Sequence, residues 1–240
     1  MLSDRDELFF DNNQETEIKK GCVMSIGKFP RGFIFGAATA AYQIEGGWNE
    51  EGRGLSIWDT YSHTPGKIEN GDTGDVAADH FHRYKEDVAL IKSMNHTGYR
   101  FSISWSRIFP EGSGRVNEAG ARFYDNLIDE LLRAGIDPNV TLFHWDLPQV
   151  LSDKGGWPHR GIIDAFADYA EFCFRRYGDR VKKWATFNEA YIIAIGGYQT
   201  GNFAPGFKDP QLAMQASHHI NLAHAAAYER FKKLTISGTV

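Results

Sequence analysis

From Phe33 onward, short runs of β-branched and aromatic residues alternate with longer amphipathic stretches of helical period, and this alternation limits the fold more than any other feature of the chain. The runs FIFGAATA, YRFSISW, VTLFHW and WATFN are nearly continuous in apolar residues, as strands covered on both faces should be. Between them, apolar residues step by three and four: Phe81, Tyr84, Val88 and Ile91; Phe123, Leu127, Leu131 and Ala134; Ile162, Phe166, Ala170, Phe174 and Tyr177. That spacing predicts helices with one buried face. Gly135 and Gly178 fall where C-terminal caps belong. A fourth helix opens with Asp209 as N-cap and Pro210 at its first position, followed by Leu212, Ala216, Ile220, Ala223, Ala227 and Phe231. Strand and helix thus alternate four times, which specifies a parallel sheet with right-handed crossovers.

Such a sheet is either open and doubly wound or part of a barrel. A nucleotide-binding open sheet should carry a glycine-rich phosphate turn after its first strand, and neither GxGxxG nor GxxxxGK[ST] occurs. Each strand instead ends in polar and aromatic residues: Gln43 and Glu45 after the first, Arg100 and Trp105 in and after the second, His144 and Trp145 after the third, Asn188 and Glu189 after the fourth. Chemistry gathered at the C-terminal ends of several strands is the barrel arrangement.

Composition removes other classes. The 240 residues are 42% hydrophobic and carry a net charge of -5, enough for a sizeable core in one or two soluble domains. Lys and Arg, 26 against 31 Asp and Glu, are not clustered, so no nucleic-acid partner is expected. No apolar run approaches the ~18 residues of a membrane span, and no membrane partner is expected either. Cys22 and Cys173 are the only cysteines, which fits a reducing cytoplasm rather than a disulfide framework. Residues 1–26 form an acidic leader without the order of a signal or transit peptide. It is expected to be disordered, or to be upstream translated sequence before a second start at Met24; residues 27–240 are expected to be the folded domain. His80, His82, His218 and His219 do not face one another at helical spacing, so neither metal nor cofactor is expected. The sequons at Asn95 and Asn139 carry little weight beside that leader.

The segments ATAAYQIEGG, DVAADHFHRYKEDVALIKSM, YRFSISWSRI, VTLFHWDLP, GGW, YGDRVKKW and TFNEA resemble glycoside hydrolase family 1, the β-glucosidase type, in order and spacing over roughly Phe29 to Val240. The resemblance implies a (β/α)8 barrel and hydrolysis of β-linked glucosides or galactosides, with retention, through two glutamates. It implies Glu189 as the acid/base residue, with Gln43, His144 and Asn188 on hydroxyls of the sugar. Arg100, by the same likeness, lies near the nucleophile. One departure is Ala190, where the family usually has proline. A larger one is that the family's nucleophile, in a later TENG motif, and the sugar-binding residues beyond it have no counterpart here. The expected fold is therefore half of a (β/α)8 barrel, four parallel β/α units.

Plainer readings stand beside these. Asn188 and Glu189 could be a hydrogen-bonded structural pair, His144 a core histidine, Trp145 and Trp105 packing rather than sugar platforms, and Arg100 the partner of Glu45 in a buried ion pair. Two functions follow. One is a β-glycoside hydrolase whose second carboxylate comes from another copy or another chain; the other is an inactive half barrel that at most binds sugars weakly. The four strands leave two open edges, and the face lining the barrel interior, with Phe35, Ile103, Leu142 and Ala185 as candidates, is expected to be apolar. A homo-oligomer, a dimer or higher, is expected to cover both.

Overall fold

The computed structural model describes residues 29–240, so the expectations for the leader, Cys22 and Met24 lie outside it. The chain divides at Phe33 into two compact units. In the described part of the first, Phe33 N–H donates to Pro30 O at 3.0 Å and the Phe29 and Phe33 rings lie 4.6 Å apart. The remainder concerns Ile34–Val240.

Strands β1 (Gly36–Ala38), β2 (Gly98–Ser102), β3 (Asp137–Phe143) and β4 (Lys183–Phe187) form one sheet in the order β1-β2-β3-β4, and every neighbouring pair is parallel. The helices are α1 (Ala41–Ile44), α2 (Ile57–His63), α3 (His80–Ser93), α4 (Trp105–Ile108), α5 (Glu118–Arg133), α6 (Gln149–Ser152), α7 (Ile162–Tyr177), α8 (Ala190–Ala194) and α9 (Pro210–Lys233). The four long ones, α3, α5, α7 and α9, are the four expected from periodicity. The first strand is shorter than the run FIFGAATA suggests. Gly36 lies so close to β2 that a Cβ there would meet Gly98 O at 2.5 Å, and α1 already begins at Ala41.

Caps follow the sequence with one exception. Asp209 accepts hydrogen bonds from Gln211 N–H at 2.8 Å and Leu212 N–H at 3.3 Å, satisfying two donors that a helix start leaves open. Gly135, with φ +73, is the left-handed residue that closes α5. Gly178 is right-handed, with φ -70. It is glycine for space instead: a Cβ would stand 2.3 Å from Phe174 O and 2.8 Å from Ile236 Cδ1.

The helices bury their apolar stripes against one side of the sheet. Phe166 stacks on Phe187 at 4.5 Å and meets Trp157 at 5.9 Å, while Trp105 stacks nearly flat on Tyr169 at 4.9 Å. Each such side chain contributes roughly 1.5–3 kcal/mol by leaving water. Ile103 and Leu142 belong to this core at 0% exposure. They do not line an open interior. Strand register puts Ala38, Arg100, Asn139 and Lys183 in one row and Ser102, Thr141 and Ala185 in the next, and Lys183 pairs with Asp137. Those two rows are largely polar where an apolar interior was expected. One edge is also partly covered. Thr239 bridges to Lys183 in parallel, with Trp184 N–H donating to Thr239 O at 3.0 Å and Thr239 N–H to Lys182 O at 2.9 Å.

Candidate active site

Arg100 lies in the middle of β2, half-buried, where its long side chain can cross the sheet. Its Nε donates to Thr141 Oγ1 on β3 at 2.8 Å and its Nη2 to Asn188 Oδ1 beyond β4 at 2.9 Å. One guanidinium thereby spans three strands at the rim. The alternative ion pair with Glu45 does not form. Glu45 is buried with Arg107, whose Nε donates to Glu45 Oε2 at 3.1 Å, and with Tyr124, whose hydroxyl donates to Oε1 at 2.6 Å. Arg107, near the C-terminal end of α4, also donates through Nη2 to Gly46 O just past α1 at 3.1 Å, whereas Arg100 is held on the sheet.

His144 follows β3 directly and is half-buried. Its Nδ1 is buried without a hydrogen-bond partner. Burial first, and then the positive charge of Arg100, push its pKa down to about 4, so the imidazole is neutral above that pH and can donate at one nitrogen and accept at the other. Trp145, at φ +76, is a left-handed non-glycine residue. Its Nε1 donates to Asn188 O at 3.0 Å and its ring stacks on Phe203 at 5.5 Å. Phe203 meets Trp58 at 6.0 Å, and Trp58 meets Tyr42 of α1 at 5.8 Å. An aromatic chain therefore runs from the Trp145 end of the rim to the helix that carries Gln43. Gln43 itself is exposed. Trp105 is fully buried, its Nε1 donating to Gly112 O at 3.0 Å, and is core.

Asn188 N–H donates to Phe143 O at 2.9 Å, which carries the β3–β4 ladder one residue past the strand. Glu189 comes next, at φ +47 and ψ +64, as the N-cap residue of α8. Its carbonyl accepts from Ile192 N–H at 2.8 Å and Ile193 N–H at 3.2 Å. The side chain is exposed and receives no hydrogen bond from the described residues. Left-handed backbone costs a non-glycine residue about 1–2 kcal/mol. Two such residues, Trp145 and Glu189, sit on this rim, where strain often accompanies function.

Three groups escaped the sequence reading. Thr141 anchors Arg100; its signal was the strand period that puts both on one face. Arg107 and Tyr124 hold Glu45, and no local pattern marks that triad. Asp146, two residues after His144, is 0% exposed, and burial pushes its carboxyl up to about 7, partly offset by the charge of Arg53. Among the described residues no cluster of three or more His, Cys, Asp or Glu could hold a metal. No helix there is long and apolar enough to cross a membrane.

A parallel sheet with its polar and titratable side chains on the carboxyl-end rim is the catalytic layout of a β/α-barrel enzyme. The profile of glycosyl hydrolase family 1 matches residues 25–240, and the chain belongs to that family. It is 52% identical to beta-glucosidase A of Thermotoga maritima over 90% of this chain and 49% of that protein, and 50% identical to beta-glucosidase 6 of Oryza sativa subsp. japonica over 87% and 44%. The solved structure of beta-glucosidase from Thermotoga maritima in complex with glucoimidazole superposes with a TM-score of 0.87 at 53% identity, covering 88% of this chain and 48% of that one. The chain spans about half the length of the curated relatives it matches, and its four β/α units make half of a (β/α)8 barrel.

Proposed function

We propose that the chain carries the acid/base half of a β-glucosidase site, acting on β-linked glucosides or galactosides. Glu189 protonates the glycosidic oxygen, and a second carboxylate, from another copy or another chain, completes the pair. Gln43, His144 and Asn188 hold sugar hydroxyls, Arg100 orients Asn188, and Trp145 walls the pocket. The observation that carries this reading is the Thr141–Arg100–Asn188 linkage, which ties three strand ends to the residue beside Glu189. A chromogenic aryl β-glucoside assay with a Glu189→Gln control tests it. General acid/base help is worth roughly a hundred- to ten-thousandfold, so the variant should lose about that much toward poor leaving groups; equal rates would refute the role.

A second reading is favoured by one observation: the Glu189 carboxylate is exposed and receives no hydrogen bond from the described residues. On this reading the half barrel holds sugars weakly and turns nothing over. Absent turnover in parent and variant alike, together with measurable inhibitor binding, would select it. Replacing Gln43, His144 or Asn188 by alanine should weaken binding of a glucose-shaped imine under either reading. The chain is further proposed to be a cytoplasmic homo-oligomer that covers the strand edges of its sheet; light scattering that shows a monomer at micromolar concentration would end that part.

A further inference from the structure

Where the backbone ladder between β1 and β2 gives way to α1, a side chain continues it. Thr39 N–H donates to Arg100 O at 2.9 Å. The bonds of a parallel pair are evenly spaced, so the next donor, Ala41 N–H, would reach for Ser102 O if the strand ran on. Ala41 is instead the first residue of α1, and its N–H donates to Ser102 Oγ at 2.7 Å. A helix start leaves its first N–H groups without intrahelical acceptors, and the N-cap residue here, Ala40, has no side chain that could accept. Ser102 therefore caps the helix from the neighbouring strand, 61 residues away in sequence. Both partners are buried, Ala41 at 3% exposure and Ser102 at 1%, so solvent is a poor substitute for the hydroxyl.

The capped helix is the one that carries Gln43. With four residues it is a single turn, too short to hold its own shape. On its far side Tyr42 anchors it, the hydroxyl lying 3.1 Å from Trp58 O and accepting from Gly74 N–H at 3.2 Å. Ser102 ties it to the sheet. Strand β2 thus serves both flanks of the rim, with Arg100 bound to Asn188 and, two residues on, Ser102 bound to α1. We propose that Ser102 is a positioning residue for the sugar site: its hydroxyl fixes the start of α1 and, through it, the place of Gln43. The proposal rests on the reading of Gln43 as a hydroxyl-binding residue and adds what holds it there.

Calorimetric titration with the glucose-shaped imine tests this on the parent chain, Ser102→Ala, Gln43→Ala and the double variant. Ser102→Ala is expected to weaken binding about fivefold to tenfold, the equivalent of one buried hydrogen bond. In the Gln43→Ala background the same change should weaken it no further, because the serine acts through the glutamine. Ser102→Thr, which keeps the hydroxyl, should retain most of the affinity. Hydrogen exchange of the Ala41 amide should quicken in Ser102→Ala and not in Ser102→Thr. Circular dichroism checks that each variant folds. If Ser102→Ala alone does not, Ser102→Ala combined with Ala41→Pro takes its place. Proline leaves no N–H to bury unpaired and suits a first helical position, and Ala40, at ψ 143, is extended as a residue before proline must be. That pair should weaken binding by the same factor. If removing the hydroxyl leaves binding unchanged, or if its effect multiplies with that of Gln43→Ala, the positioning role fails and the pocket survives. If Gln43→Ala binds as the parent does, or the parent does not bind, the sugar-pocket reading fails and takes this proposal with it.

Discussion

Asp146→Asn should make the chain more stable at alkaline pH and flatten its dependence on pH. Asp146 is fully buried. Burial pushes its pKa from 3.8 up to about 7. The folded chain therefore keeps a proton through a pH range in which the unfolded chain has released it. Stability from this group is complete below the unfolded value near pH 4, declines as pH rises, and is lost on passing the folded value near 7. A rise of about three units at 1.36 kcal/mol each sets a ceiling of about 4 kcal/mol. The denatured chain's residual structure and relaxation around the charge reduce that. Asparagine has no proton to lose, so the stability of the variant minus that of the parent should grow from about 1 kcal/mol at pH 4.5 to about 2–4 kcal/mol at pH 8.5. Urea unfolding followed by tryptophan fluorescence at four pH values measures it. The other titrating groups, His144 included, are common to both proteins and cancel in the difference. Parallel stability curves for parent and variant across that range would refute the reasoning.

Two more outcomes are expected. In proton NMR the His144 imidazole should titrate near pH 4, and Arg100→Gln should raise its midpoint by removing the neighbouring charge; a midpoint at the ordinary value near 6.5 would mean that the ring is solvated. Ala190→Pro should shift Glu189 from its left-handed backbone toward extended conformations, because a proline ring disfavours helical conformations at the preceding residue. The Glu189 amide coupling constant should then become that of extended backbone, and an unchanged coupling would show that α8 dictates the turn.

The sheet order, the four long helices and the rim could be read from the sequence because each rests on a local pattern: the period of α7, the proline after Asp209, the polar residues at the strand ends. The short helices could not. Ala41–Ile44 and Trp105–Ile108 are too brief to show a period, and the run YRFSISW carried Trp105 as if the strand continued. Glu45 shows the other kind of limit. Arg100 and Arg107 are equally plausible partners from composition, and the choice depends on a contact 62 residues away that only the assembled sheet and α4 define. Asp146 likewise reads as a polar loop residue, since its burial comes from chain elements far away in sequence. The polar interior row could have been anticipated, because Arg100, Asn139 and Thr141 fall at alternate strand positions. Taking the runs as uniformly apolar hid it.

The bridge from Arg100 to Thr141 and Asn188 also works as a gauge of strand alignment. Slipping β3 by one residue against β2 would turn Thr141 to the helix side and put Val140 or Leu142 under the guanidinium. A misaligned sheet would then have no rim pocket, whatever its helical content. Anything that binds the rim selects correctly threaded molecules and stabilises them by mass action, so the heat stability that a ligand confers would report the fraction of chains threaded in register.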